Sequence, residues 1–230
     1  LSWAAGAVKI WDSTTGEPIG VLKGKGYLHK VSWSPDGTKV ASGSTYKAAQ
    51  VWDAKTGERL YTLGGREGSM VNVSWSPDGA TLATGSRDGL IKLWDAGSGE
   101  LLQTFEGRFP MVSCISWCPD GNIIAAITGH RPALKIWNAK SGEPVYGIDD
   151  ELSPREEQSC DSDCWTYYRS TNMAWMSGGE FLAGAFWIWS QATGKVLKNK
   201  PDRLGRWQAW RFDGQRFAVC IGNQVRVWGL

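Results

Sequence analysis

Short runs of β-forming residues alternate along the whole chain with turns rich in Gly, Asp, Ser and Pro, a pattern that predicts many short strands. The runs repeat. Ile10-Trp11-Asp12, Val51-Trp52-Asp53, Leu93-Trp94-Asp95, Ile136-Trp137-Asn138, Ile188-Trp189-Ser190 and Val227-Trp228-Gly229 are copies of one element, with successive Trp residues 41, 42, 43, 52 and 39 positions apart. A period of this length marks a repeat architecture, which has to be recognised before any element inside it is read.

Ahead of the Trp, two units carry Val-Ser-Trp-Ser-Pro-Asp-Gly, at 31–37 and 73–79, and a third carries Ile-Ser-Trp-Cys-Pro-Asp-Gly at 115–121. Asp-Gly between two β-rich runs predicts a tight hairpin, because both residues tolerate positive φ. A second turn reads Ala-Lys-Thr-Gly-Glu at 54–58, Ala-Gly-Ser-Gly-Glu at 96–100 and Ala-Lys-Ser-Gly-Glu at 139–143, and predicts the hairpin from a third strand to a fourth. Each unit is therefore expected to be a four-stranded antiparallel sheet. One such sheet cannot bury both faces alone, whereas sheets stacked around an axis bury them against one another.

The period, the Ser-Pro-Asp-Gly hairpin and the Trp-Asp dipeptide resemble the WD-repeat (WD40) β-propeller family over nearly the whole chain. The resemblance is specific in units two to four. It is looser in unit five, on Trp175, Ser177 to Gly179 and Trp189, and in unit six, on Trp210, Asp213, Gly214 and Trp228. It implies an all-β fold, a WD-repeat β-propeller of four-stranded antiparallel blades, with six repeats visible, the first and last incomplete, and six or seven blades in the intact ring. A single domain over 1–230 is expected, with repeats at about 1–24, 25–65, 66–107, 108–148, 169–204 and 205–230 and an acidic insertion at 149–170. These units supply 22 strands, two short of six blades. The chain enters in what reads as a second strand, so residues upstream of Leu1 are expected to be absent; about 20 would complete six blades and about 60 would allow seven.

Composition narrows the classes. Fifteen Trp and 29 Gly, with 42% hydrophobic and 21% charged residues, describe a chain that buries large aromatic groups and turns often. No apolar run approaches the roughly 18 residues that span a bilayer, so no transmembrane segment is expected. A formal net charge of +2 is too small to favour nucleic acid as a partner by itself. Five cysteines lack the even framework of a disulfide-stapled secreted domain, which predicts free thiols in a reducing compartment, cytoplasmic or nuclear.

In the family that these residues resemble, a His before strand one, an Asp in the turn between strands two and three, a Ser or Thr, and the Trp form a hydrogen-bonded cluster. Here Gly24-Lys25, Gly65-Arg66, Gly107-Arg108 and Gly205-Arg206 stand for the Gly-His dipeptide, and the Asp is clear only at Asp88, with Tyr46 and Arg131 at matching positions. That bracing is expected to be mostly absent, leaving Trp packing to carry more of the stability. The resemblance places Lys25, Arg66, Arg108 and Arg206 in loops around the top rim, and Lys47, Arg87 and Arg131 in the other top-face turns. One reading is a basic ring that recognises an acidic or phosphorylated partner, since Arg binds carboxylate or phosphate bidentately. The other is solvated surface charge, paired locally with neighbours such as Glu67.

Residues 149–170 carry Asp149, Asp150, Glu151, Glu156, Glu157, Asp161 and Asp163 against Arg155 and Arg169. The segment joins an outer strand to the next inner one, so it is expected on the same face as the basic ring. It either folds over part of that ring, held by Trp165, Tyr167 and Tyr168, and regulates access, or is a mobile acidic loop.

No metal and no cofactor are expected. Cys114 and Cys118 lie along a strand with their sulfurs roughly 13 Å apart, too far for one tetrahedral ion, and Cys160 with Cys164 supply only half a structural site. His29 and His130 stand in no nucleophile or metal motif, and no Gly-rich phosphate loop occurs, so the chain is not read as an enzyme. Trp33, Trp75, Trp117, Trp175 and Trp210, like Trp11 and its copies, recur at fixed register and are expected in the core; Trp3, Trp165, Trp187 and Trp207 lie off the repeat. The Trp-Asp-x-Arg signature of ubiquitin-ligase adaptors is not matched, since Thr14, Lys55 and Gly97 hold the Arg position. The expected function is a non-catalytic protein–protein interaction scaffold within a larger protein or multi-subunit assembly. Its top face is the default surface, and its partner is a protein or peptide, acidic or phosphorylated on the basic-ring reading. The alternatives are a basic-rim binder of polyanions (phosphopeptide, RNA or inositol lipid), nucleic acid not being favoured, and a structural wedge subunit of a large complex.

Overall fold

A computed structural model of the chain describes residues 6–24, 28–44, 48–64, 70–106, 111–128, 134–148, 173–183, 187–199, 211–212, 216–221 and 224–229. Nearly all regular structure among them is β. The first sheet pairs β1 (Ala7–Trp11) with β2 (Pro18–Lys23). The second holds β3 (Leu28–Trp33), β4 (Lys39–Ser44), β5 (Ala49–Asp53) and β6 (Arg59–Leu63), and the third β7 (Met70–Trp75), β8 (Thr81–Ser86), β9 (Leu90–Asp95) and β10 (Leu101–Glu106). The fourth holds β11 (Val112–Trp117), β12 (Ile123–Thr128), β13 (Leu134–Asn138) and β14 (Pro144–Ile148). The fifth holds β15 (Ala174–Met176), β16 (Phe181–Ala183), β17 (Trp187–Ser190) and β18 (Lys195–Asn199), and the last β19 (Arg211–Phe212), β20 (Arg216–Ile221) and β21 (Gln224–Gly229). Strands adjacent in sequence are adjacent in each sheet, as short hairpins demand.

Both recurring turns are shaped by side chains. Between β3 and β4, Ser34 N–H donates to Lys39 O at 3.0 Å, enclosing Pro35 to Thr38, so the hairpin is longer than a two-residue Asp-Gly turn. A relay sets its shape. Lys39 N–H donates to Ser34 Oγ at 2.9 Å, Ser34 Oγ–H donates to Asp36 Oδ1 at 2.5 Å, and Gly37 closes the loop at φ 70°. Ser76, Asp78 and Thr81 repeat the relay before β8. In the turn from third to fourth strand, the Asp of each Trp-Asp pair is the cap. Asp53 Oδ1 accepts the N–H groups of Lys55 and Thr56 at 2.9 and 2.7 Å; Asp12 and Asp95 act likewise, and Asn138 takes the role in the fourth sheet.

The chain divides into two compact units, Leu1–Trp117 and Cys118–Leu230. In the first, β4 and β8 are buried along their length after the first residue. Successive side chains of a strand point to opposite faces, so continuous burial means that both faces are covered, which is why these strands read Val-Ala-Ser-Gly-Ser and Leu-Ala-Thr-Gly-Ser. The Trp of the third strand in the second and third sheets packs on the sheet before it. Trp52 lies with Val40 against Val8, Ile10 and Leu22 of the first sheet, and Trp94 belongs to the cluster that joins Ala49, Val51 and Leu63 to Val73, Trp75 and Leu82. Polar bonds reinforce the same contact. Tyr61 Oη–H and Lys39 Nζ both donate to the Ala96 carbonyl, at 2.6 and 2.7 Å, and Trp75 Nε1–H donates to Ser32 O at 3.1 Å.

The expectation that every repeated Trp is core fails at one position in each of the first two sheets. Trp11 and Trp33 are 55% and 48% exposed, whereas Trp52 and Trp75 are 1% and 6% exposed. Sequence register fixes where a side chain points, but burial needs a neighbouring sheet. Among the described residues, that neighbour is lacking ahead of Trp11 and two-stranded ahead of Trp33.

The second unit has its own aromatic centre. Trp189 is 1% exposed, with Tyr146 at 5.8 Å and Trp175 nearly perpendicular at 6.3 Å between ring centroids. The indole N–H groups of Trp175 and Trp189 are buried without an acceptor. Cys118 Sγ lies 4.0 Å from Gly179 O and 3.9 Å from Gln191 Oε1, and burial pushes its thiol pKa up to about 12. Gly179, at φ 114°, is required there, because a Cβ would stand 2.6 Å from that sulfur.

Candidate functional site

The register of the strands decides which connections share an end of a sheet. In the second sheet Leu28 pairs with Ser44 and Ala49 with Leu63, so the connections 25–27, 45–47 and 65–69 leave from one end. In the third sheet Met70 pairs with Ser86 and Leu90 with Glu106, so the β8–β9 turn and the connection beginning at 107 leave from the corresponding end. In the fourth sheet Ile127 pairs with Leu134 and Leu134 with Ile148, so the connection containing Arg131 and the one beginning at Asp149 also start at a common end.

Of the expected rim residues, Arg87 is the one whose surroundings are described. It occupies the β8–β9 turn, which is fixed by its neighbours. Ser86 Oγ–H is shared between Asp88 Oδ1 and, at 2.9 Å, Leu90 O, and Leu90 N–H returns to Asp88 Oδ1 at 3.1 Å. Arg87 is half-buried, and its Nε–H is enclosed with no acceptor. The third sheet is tied to β11 at this end. Asn72 Nδ2–H donates to Val112 O at 3.1 Å, and a Cβ at Gly85 would stand 2.4 Å from Val112 Cγ1, so that position admits only glycine. Lys25, Lys47, Arg66, Arg108, Arg131 and Arg206 lie outside the described residues, as do Asp149, Asp150, Glu151, Glu156, Glu157, Trp165, Tyr167 and Tyr168 of the insertion.

The opposite end of the first unit holds a series of aspartates. Asp12, Asp36, Asp53, Asp78 and Asp95 all stand in its turns and are held ionised by the bonds that shape those turns. The Ser34 hydroxyl, then the Thr38 amide, hold Asp36 down at about 2, and the Ser76 hydroxyl leads for Asp78. The Thr15, Thr56 and Ser98 amides are the main cause at Asp12, Asp53 and Asp95. Sequence reasoning did not assign the Trp-Asp carboxylates this capping role, although the recurrent Asp followed three residues later by Thr or Ser signals it.

The hydrogen-bonded cluster expected to be mostly absent is partly formed where Asp88 survives. Trp94 Nε1–H donates to Thr84 Oγ1 at 2.8 Å, while Ser86 engages Asp88. In the second sheet, where Tyr46 holds the Asp position, the matching Ser42 and Ser44 hydroxyls are buried without partners. Among the described residues no group of three His, Cys, Asp or Glu side chains is placed to hold a metal ion, and no helix is long and apolar enough to cross a membrane.

Repeated four-stranded antiparallel sheets, joined by a Trp that packs on the sheet before, define a β-propeller of the WD-repeat class. The family profile described as WD40 (WD domain, G-beta repeat) matches residues 16–53, 57–95 and 99–138, and the chain belongs to that family. Each matched stretch runs from before a fourth strand to the end of the next third strand, so the sequence repeat is offset from the sheet by one strand.

Among curated relatives, the chain is 36% identical over 67 residues to "Cell division cycle 20.1, cofactor of APC complex" of Arabidopsis thaliana, covering 28% of this chain and 15% of the relative. It is 44% identical over 62 residues to "Poly(A)+ RNA export protein" of Schizosaccharomyces pombe, covering 23% and 18%, and 46% identical over 43 residues to "U5 small nuclear ribonucleoprotein 40 kDa protein" of Homo sapiens, covering 19% and 12%. The aligned part is thus under a fifth of each relative's length. A chain in the solved structure of the mitotic checkpoint complex superposes with a TM-score of 0.76 at 19% identity, over 97% of this chain and 70% of that one, a likeness of fold.

Proposed function

We propose that the chain is a non-catalytic interaction scaffold within a larger assembly, and that it engages an acidic or phosphorylated protein segment at the end of its sheets that carries Arg87. What supports this reading is the series of aspartates in the turns at one end, with Arg87 in a turn at the other. Arg87 stands on a turn locked by Ser86 and Asp88, and the sequence assigns Lys25, Lys47, Arg66 and Arg108 to connections expected at the same end. Such an arrangement orients an anionic segment before contact, and guanidinium groups then bind carboxylate or phosphate with defined geometry. Arg131 and Arg206 extend the same reading to the second unit, with Asp149, Asp150, Glu151, Glu156 and Glu157 as an internal competitor and Trp165, Tyr167 and Tyr168 as its anchors. The relatives' names fit work inside assemblies, one being a cofactor of the APC complex and another a component of the U5 small nuclear ribonucleoprotein. Cys114 and Cys118, buried and joined in no disulfide, suit a reducing compartment, cytoplasmic or nuclear.

The test is an affinity capture from cytosolic and nuclear extracts at low and high salt, comparing the intact chain with one carrying Arg66→Glu, Arg87→Glu and Arg108→Glu together. Partners lost on both salt and charge reversal support the basic end as the site. Partners that survive both move the interface to the sheet edges or the aspartate end.

A further inference from the structure

Arg87 differs from an ordinary surface arginine in the placement of its guanidinium. The residue is half-buried, and its Nε is enclosed without an acceptor. Its two Nη groups are not enclosed, and Arg87 makes no hydrogen bond or ion pair among the described residues, so both stay open to solvent with their donors unused. The neighbouring carboxylate does not compete for them. Asp88 Oδ1 accepts Ser86 Oγ–H and, at 3.1 Å, Leu90 N–H, and so is turned toward the backbone of its own turn. The base of the turn is fixed as well. Gly89 N–H donates to Ser86 O at 3.3 Å, and the end of β8 is held against Val112, where Gly85 leaves no room for a Cβ. The turn that carries Arg87 is therefore set before a ligand arrives, and little ordering is left for binding to oppose.

We infer that Arg87 takes a phosphate monoester end-on, through Nη1–H and Nη2–H, with Nε withheld from the ligand. This rests on the reading that the end carrying Arg87 binds an anionic segment, and specifies the ligand and its contact. A guanidinium offers two-donor edges, one formed by Nη1 with Nη2 and one by Nε with an Nη, and each matches two oxygens carried on one atom. Enclosure of Nε closes the second kind of edge and leaves the outer one. A carboxylate also fits that edge, but a single exposed Arg–carboxylate pair contributes little. A phosphate monoester presents the same pair of oxygens with greater charge, which makes a phosphorylated Ser or Thr in a partner segment the better match.

The test is NMR of the full chain with isotopically labelled arginine side chains, the Arg87 signals being assigned with Arg87→Lys. Before any ligand is added, the Arg87 Nε–H is expected to exchange with water about tenfold or more slowly than that of free arginine. Two synthetic peptides are then titrated, one with a single phosphothreonine among Gly and Ser residues and one with Glu in its place. The phosphopeptide is expected to shift the Arg87 Nη signals, to leave the Nε–H protected, and to bind several-fold more tightly than the Glu peptide. Arg87→Lys, which keeps the charge and loses the fork, is expected to weaken it several-fold. Rapid Nε–H exchange in the free chain, a phosphopeptide that engages Nε, or equal binding by Arg87→Lys overturns the end-on contact while the basic end stands. Equal binding of the Glu peptide overturns the phosphate and leaves an acidic segment as the ligand. No change at Arg87 with either peptide at millimolar concentration overturns both the contact and the choice of this end as the binding site.

Discussion

Trp94 donates its indole N–H to Thr84 Oγ1 at 2.8 Å, both residues lying in the buried interior of the third sheet. The fifth sheet lacks this bond. Leu182 stands opposite Trp189 as Leu82 stands opposite Trp94, yet the Trp189 N–H is buried without an acceptor. Thr84→Val keeps the shape and removes the acceptor, and is expected to cost about 1–3 kcal/mol in urea unfolding, whereas Thr84→Ser costs less than half as much. Equal losses for both variants would assign the effect to the β-branch rather than to the hydroxyl.

The Ala96 carbonyl receives two donors from the preceding sheet, Tyr61 Oη and Lys39 Nζ. Burial, and then the Asp95 charge, raise the Tyr61 phenol above its ordinary 10.0, so it remains a donor. Tyr61→Phe is expected to cost about 0.5–1.5 kcal/mol because Lys39 still serves the carbonyl. With Lys39→Met added, the double variant is expected to lose more than the sum of the singles, which a double-mutant cycle measures. Gly99→Ala strains a φ of 75° and sets a Cβ 2.9 Å from the Tyr61 ring, so its loss of melting temperature is expected to exceed that of Tyr61→Phe.

Acid stability follows from the turn carboxylates. The folded pKa of Asp36 is about 2, below the ordinary 3.8, and that of Asp78 is also lowered, so the unfolded chain binds these protons more readily. Their stabilisation is complete above about pH 5 and is lost as the pH falls through 3.8 toward 2. Ser34→Ala is expected to raise the Asp36 pKa in an NMR titration and to leave stability at pH 7 less affected by acidification. An unchanged Asp36 titration would remove the hydroxyl relay as the cause.

The Cys118 thiol is buried and its pKa is pushed up to about 12, so almost none of it is thiolate at neutral pH. In the folded chain it is expected to resist iodoacetamide at pH 8, with a labelling rate that tracks urea unfolding. Labelling at the rate of a free thiol in native buffer would contradict the packing around Gly179.

Much of the fold is legible from local chemistry. The Ser-Pro-Asp-Gly and Thr-Gly-Glu turns fix where strands end, because Ser34, Asp36, Asp53 and their copies bond to backbone groups two to five residues away. The roughly 42-residue period then sets the number and order of the sheets. At the candidate site a sequence shows that Arg87 stands in a turn but not that its Nε–H is enclosed without a partner.

The sequence by itself determined the strands, the turns and the family, since these depend on bonds within a few residues and on a period that survives substitution. Tertiary structure alone decided which copies of one residue do the same work. Trp33 and Trp75 share a motif but not a neighbour, Thr84 and Ser42 share a position but not a partner, and the Ala96 carbonyl is joined by residues 35 and 57 positions away. Burial and pairing across sheets depend on what lies opposite, and no local pattern carries that information.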